Sequence, residues 1–315
     1  MQSSELDDLV RIGKSLDPVS VQGLEQQLLV NPDDLGLRIQ LLVYYSTCLN
    51  QLNLYVTHVQ HLISRHANDE TFADFAIYRS ASLKCSNNEV YEQIKGIWLR
   101  RLNLPECSIW AAINAATFFQ INDEPELAIN TLIAHPDLDL SEAALYKVAS
   151  LLKILAKKNK SEKRLREALT YFRKSLSLAT THKSKILSNI EIASLAGELV
   201  DTGTAREHAI TALELAATEK GDDVYGYVVH ICNILLGNLA LAENDAATAM
   251  ECLSNAANLE PSALLSAKGP DLSLARRLVE REYFDEVVQF LNLISGYDFN
   301  ETDKNKLSRL KRLVG

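Results

Sequence analysis

Apolar residues recur at intervals of three and four along nearly the whole chain, as in Leu37, Leu41, Leu42, Tyr45 and Leu49, and again in Leu145, Val148, Leu152 and Leu155. That spacing puts them on one face of an α-helix and predicts a succession of amphipathic helices. Alternating apolar and polar runs, which would mark half-buried strands, are short, and Ala and Leu outnumber β-branched residues in the periodic segments. The interruptions suit helix ends. Asn31-Pro32-Asp33-Asp34, Asp123-Glu124-Pro125 and Leu259-Glu260-Pro261 place proline, which has no backbone N–H, at boundaries. Asn87-Asn88, Asp201-Thr202-Gly203, Gly221-Asp222-Asp223 and Gly269-Pro270-Asp271 supply further stops. The pattern predicts an all-α chain of about fifteen helices of ordinary length, joined by connections short enough to make antiparallel hairpins.

An internal repeat sharpens this reading. Ala128, Ala168, Ala209 and Ala249 lie 40, 41 and 40 residues apart, and Leu132, Phe172, Leu213 and Leu253 follow them by four residues. Small residues, Ala116, Ala156, Gly197 and Gly237, stand twelve positions earlier, where they would fall on the preceding helix. Helices approach closely only where side chains are small, and a large residue one turn further fills the space between neighbouring hairpins. A fixed period therefore implies hairpins that stack because none can bury its apolar face alone.

Leu236-Gly237, Ala249, Leu253, Ala256 and Pro261 resemble a tetratricopeptide repeat in residue type and spacing, and Ala196-Gly197, Ala209, Leu213 and Ala216 do so apart from Gly221 at the place of the terminal proline. The period departs from the usual ~34 residues, so longer helices or linkers are expected. The resemblance implies a right-handed α-solenoid in which residues 1–105 form degenerate hairpins, 106–262 the repeat array, and 263–315 a closing hairpin and capping helix. The segment from Gly269 to Ile294 is similar to closing hairpins of bacterial repeat proteins.

Charge and composition narrow the function. A net charge of −9 disfavours general binding to phosphate backbones. The cysteines, Cys48, Cys85, Cys107, Cys232 and Cys252, are scattered and form no Cys-x-x-Cys pair, which reads as buried thiols in a reducing compartment. The amino-terminal residues have no basic start followed by an apolar run, and the apolar stretch from Val228 is interrupted by His230, Asn233 and Asn238. A cytoplasmic protein is expected, with membrane and nucleic acid not the expected partners. No phosphate loop, nucleophile elbow or dinucleotide fingerprint occurs, so neither catalysis nor a cofactor is expected. His58 and His61 lie three apart with His66 near them, but no metalloprotease-type helix accompanies them, and no metal is expected.

The resemblance also implies that the first helix of each hairpin lines a concave groove. Its rows would be Trp110, Ile113, Thr117 and Gln120; Ser150, Lys153, Lys157 and Lys160; Glu191, Ser194, Glu198 and Asp201; and Ile231, Ile234, Asn238 and Leu241. The expected function is a non-catalytic scaffold holding a peptide or protein partner there, with Trp110, Ile113, Thr117, Lys153, Lys157, Lys160, Glu191, Glu198, Ile234 and Asn238 as contact residues. Alternatively, the lysine and glutamate rows simply pair with each other across adjacent helices. A second reading uses residues 153–174, where nine basic residues face Glu162 and Glu167, to bind nucleic acid or an acidic partner. The last helix, with Leu307, Leu310 and Leu313 among basic residues, reads as a solubilising cap, and a homo-oligomer through an uncapped apolar end is compatible with the pattern.

Overall fold

The computed structural model describes residues 3–48, 51–72, 83–218, 223–257 and 262–314. Among these it contains eighteen α-helices and no strand. The stops at Gly221 and at Leu259-Glu260-Pro261 lie outside the described residues. Two compact units, 1–155 and 156–315, divide the chain inside one continuous helix.

In the first unit the helices are α1 (Ser3–Lys14), α2 (Pro18–Val30), α3 (Leu35–Thr47), α4 (Leu52–His66), α5 (Leu83–Ser86), α6 (Asn88–Leu102), α7 (Ile109–Ile121) and α8 (Pro125–Ile133). Helix α3 packs against α1, α2 and α4, while α6 packs against α4, α5 and α7, and α7 against α8. Side-chain caps fix several starts: Asp17 accepts from the Val19 and Ser20 amides, Asp34 from Leu37, Asn87 from Val90 and Ser108 from Ala111. Each such cap is worth ~1 kcal/mol. Helix α7 buries a continuous run from Ala111 to Phe119. Its one amide in that run, Asn114, donates from Nδ2 to the Ala67 and Asp69 carbonyls at 2.8 and 3.1 Å, satisfying backbone groups just beyond α4.

Helix α9 (Glu142–Asn159) runs through the division. The second unit continues with α10 (Glu162–Leu178), α11 (His182–Glu198), α12 (Thr202–Ala217), α13 (Asp223–Ala242), α14 (Ala246–Asn255), α15 (Ala263–Lys268), α16 (Ser273–Val279), α17 (Phe284–Ile294) and α18 (Glu301–Val314). Helix α11 packs against α10, α12 and α13, and α13 against α12, α14, α15 and α16. Helix α17 packs against α14, α16 and α18. His230, Asn233 and Asn238 interrupt the apolar run of α13, yet by length and composition it could cross a membrane: 19 residues, Val224–Ala242, have a mean hydropathy of 1.5. Packing against five other helices accounts for that apolar character. Its Asn233 Nδ2 donates to the Val229 carbonyl at 2.8 Å, so even its polar side chains are served within the fold.

One turn recurs five times. Asp123, Lys160, Val200, Asn244 and Glu282 have φ of 56°, 51°, 62°, 64° and 67°, and among the described residues they are all of the non-glycine residues with positive φ. After each, an amide reaches back to close the preceding helix: Glu124 to Phe119, Ser161 to Ala156, Asp201 to Ala196 and Asp245 to Ala240 at 2.9 Å, and Tyr283 to Leu278 at 3.1 Å. This is the Schellman ending, in which the N–H two residues past the cap reaches a carbonyl left open by the helix. In three copies the donating residue also starts the next helix through its side chain, as Ser161, Asp201 and Asp245 do.

These turns correct the repeat register. They are spaced 37, 40, 44 and 38 residues apart, so the structural period varies where the alanine period is constant. Five residues beyond each left-handed residue stand Ala128, Leu165, Ala205, Ala249 and Val287. Ala168 and Ala209 sit about one helical turn further along, on the same buried face, which is why they mimic a constant period. An ideal Cβ on Gly197 would lie nearest Ala205, at 4.0 Å, while one on Gly237 would lie 2.3 Å from Leu274 Cδ2 and 3.3 Å from the Ala249 carbonyl oxygen. Gly237 thus marks a close approach of α13 to α14, where a Cβ would displace Leu274 and crowd Cys252 Cβ at 3.0 Å. The cysteines divide: Cys232 and Cys252 are buried, whereas Cys85 is exposed, correcting its reading as a buried thiol.

Val200 is β-branched, 81% exposed and held left-handed, where Cβ crowds the carbonyl. Val200→Gly is therefore expected to raise the unfolding free energy by roughly 0.5–1 kcal/mol, seen as a higher urea midpoint, once the entropy of glycine is set against the relieved strain. An unchanged or lower midpoint would contradict a strained turn.

Candidate partner-binding cleft

A cleft of about 540 Å³ lies in the second unit, walled by α11, α13 and α16. Helix α11 contributes Ile190, Ala193, Ser194 and Gly197, spaced three and four apart so that they share one face. Helix α13 contributes Ile231, Ile234, Leu235, Asn238 and Ala242 in the same rhythm, and α16 contributes Ser273 and Arg277. Val200, Thr202, Glu198 and Asp271 stand among its remaining lining residues. A mostly apolar concavity of this size with few polar groups is what a preformed binding site offers.

The polar groups form a chain. Asp271 Oδ1 accepts from the Ser273 amide at 2.8 Å, and Ser273 Oγ accepts from Asn238 Nδ2 at 3.0 Å. Asn238 Nδ2 also donates to the Ile234 carbonyl, while Asn238 Oδ1 and its backbone carbonyl both accept from Arg277 Nη1, at 2.9 and 3.0 Å. Asn238 is thus spent on fixing Arg277. Behind this row, His230 Nδ1 lies 2.8 Å from the Ala256 carbonyl oxygen, and its Nε2 accepts from the Asp271 amide at 2.9 Å. Nδ1 therefore carries the proton, and the ring ties α13 to the segment that enters α16.

Cys232 lies in the same lining, where burial pushes its thiol up to about 12, so it is no nucleophile at neutral pH. In the first unit, a cleft of about 390 Å³ brings Cys107 beside His135. There His135 Nε2 meets the Cys107 carbonyl at 3.2 Å and Nδ1 accepts from the Asp137 amide at 3.2 Å. With both ring nitrogens committed to backbone, His135 is no base for the thiol, whose pKa burial also raises.

The groove residues read from the sequence meet different fates. Glu198, Ile234 and Asn238 line the second-unit cleft, with Ser194 and Ile231 from the same rows; Glu191 does not. Leu241 is fully buried, and Ile234 is 1% exposed, so it forms the cleft floor rather than an open contact. Trp110, Ile113, Thr117 and Lys153 belong to the first unit. Ile113 and Thr117 are buried, correcting their placement on an open face, and Thr117 Oγ1 returns a hydrogen bond to the Ile113 carbonyl at 3.0 Å. Trp110 is half-buried. Lys160 is exposed and occupies the left-handed turn after α9. Lys157 pairs with Glu198 at 3.0 Å, so the two charged rows do meet each other at this point. Within 153–174, Arg166 also pairs with Glu162 and Lys163 with Glu167, at 2.5 and 3.9 Å.

Two features escaped the sequence. Arg277 belongs to the segment read as a cap, although it stands 39 residues after Asn238, close to one period. The other is a buried polar cluster in the first unit. Glu25 Oε1 accepts from Tyr45 at 2.9 Å and lies 3.3 Å from His58 Nε2, while Arg38 donates to His58 Nδ1 at 3.4 Å and to the Pro32 carbonyl. Since arginine only donates, the His58 proton sits on Nε2. His61 turns instead toward Asp33, 3.6 Å away, so the two histidines serve different acidic partners.

Burial holds His230 below the usual imidazole range, and the Asp271 N–H aimed at Nε2 opposes a second proton. The unfolded chain takes up that proton first, so this contribution to stability is complete above an unfolded pKa of ~6.5 and is lost as pH falls toward the folded value. Urea midpoints of the wild type are expected to decline from pH 7 to 5, with a shallower decline in His230→Gln. Equal slopes would contradict the assignment.

No protein-family model matches the chain, and no curated protein matches it significantly.

Proposed function

We propose that the protein is a non-catalytic interaction module of stacked helical hairpins, tetratricopeptide-like in kind, that holds a segment of another polypeptide in the cleft between α11, α13 and α16. The observation that carries this reading is the cleft itself: an apolar concavity of about 540 Å³, with the strained and exposed Val200 among its lining residues. Strain and exposed apolar surface both cost stability, and they concentrate where a surface is kept for a ligand. A stacked arrangement is supported by the recurrence of one turn after five helices and by packing within the second unit that skips a helix, α11 on α13 and α14 on α16. In such a stack successive first helices lie side by side and line one concave surface.

The alternative, nucleic acid or an acidic partner on residues 153–174, has less support. Lys157, Lys163 and Arg166 already face carboxylates.

The test is affinity capture from native extract with the full chain and with Ser194→Trp, which fills the cleft from a half-buried position on α11. A specific polypeptide retained by the wild type is expected to be lost from the variant, with unchanged circular dichroism. Retention by both would reject the cleft, and release of nucleic acid by moderate salt would favour the basic segment.

A further inference from the structure

Among the described lining residues Arg277 is the one cation of the cleft, and its guanidinium is held in place by neutral groups. Its Nη1 is held by two oxygens of Asn238, both neutral. Asn238 is in turn held by the Ile234 carbonyl and Ser273 Oγ, and the Ser273 amide by Asp271. No carboxylate among the described residues pairs with the guanidinium; even Asp271, which shares the cleft, is turned to the Ser273 amide. A half-buried guanidinium beside apolar walls, fixed on one nitrogen and unpaired on its remaining edge, is a preorganised fork for an oxyanion. Such a group gives affinity chiefly because its orientation is already set before binding.

The surroundings decide which oxyanion. Glu198 and Asp271 in the same lining repel a doubly charged phosphate more than a single carboxylate. Ile190, Ile231, Leu235 and Leu239 favour an apolar body attached to that carboxylate. Resting on the reading of this cleft as the partner site, we propose that it recognises an acidic side chain flanked by large apolar residues, with the carboxylate on Arg277 and a neighbouring side chain against Ile231 and Leu235. The specificity is for one carboxylate within a peptide, not for a phosphate and not for a basic segment.

The probes are blocked tripeptide amides, N-acetyl-Leu-Glu-Leu-amide and its Gln, Lys and phosphoserine counterparts, titrated into the full chain with the Ile and Leu methyl resonances observed by NMR. The Glu peptide is expected to shift the Ile231 and Leu235 methyls and to bind at least tenfold more tightly than the Gln peptide, with the Lys and phosphoserine peptides weaker still. In Arg277→Gln the Glu and Gln peptides should bind alike, and Arg277→Lys, which keeps the charge without the fork, should recover only part of the preference. Equal binding of Glu and Gln peptides to the wild type, a stronger phosphoserine peptide, or no shift with any peptide overturns the proposal, and the wild-type comparison stands even if a variant fails to fold. These outcomes leave the cleft as a partner site to be judged separately, by the Ser194→Trp capture.

Discussion

A helix must end somewhere, and its last carbonyls must find partners. After five helices of this protein the same solution recurs, a left-handed residue followed by an amide that returns to the helix. The turn is short, so it brings the second helix back at once beside the first, and it fixes which faces meet. Small residues then become useful because the turn has placed them opposite one another, Gly197 facing Ala205 and Gly237 facing Ala249. The cleft is a further consequence. Its walls are faces of α11, α13 and α16, the helices that the turns at Val200, Asn244 and Glu282 close or follow.

Helicity and several stops were legible in the sequence, because periodicity of three and four and the capping residues Asp34, Asn87 and Asp201 report local physics. The turn was not legible. Its left-handed positions are Asp123, Lys160, Val200, Asn244 and Glu282, with no glycine to mark them, so the eye falls on alanines that share the buried face. The alignment slipped by about one turn in two copies, which still names the right helix face but the wrong neighbour.

For the same reason the site was half visible. Ser194, Glu198, Ile231 and Asn238, read from the sequence as parts of groove rows, line the cleft, since a shift of one turn preserves the helix face. Arg277 was missed because its hairpin begins with the seven-residue α16 and lacks the alanine used for alignment. Ile113 and Thr117 were misjudged because α7 buries a continuous run, and an all-round apolar helix has no face that periodicity can single out. The Glu25, Arg38, Tyr45 and His58 cluster joins three helices across separations of 20 and 33 residues, beyond any local pattern.

The central claim is that a polypeptide segment occupies the cleft between α11, α13 and α16. A photo-cross-linking amino acid placed at Val200, an exposed lining residue, tests it most directly in native cells, with the same group at exposed Glu214 on α12 as the control. The account predicts one discrete cross-linked polypeptide from position 200 and none of that product from position 214. No product from position 200, or the same products from both positions, would contradict it.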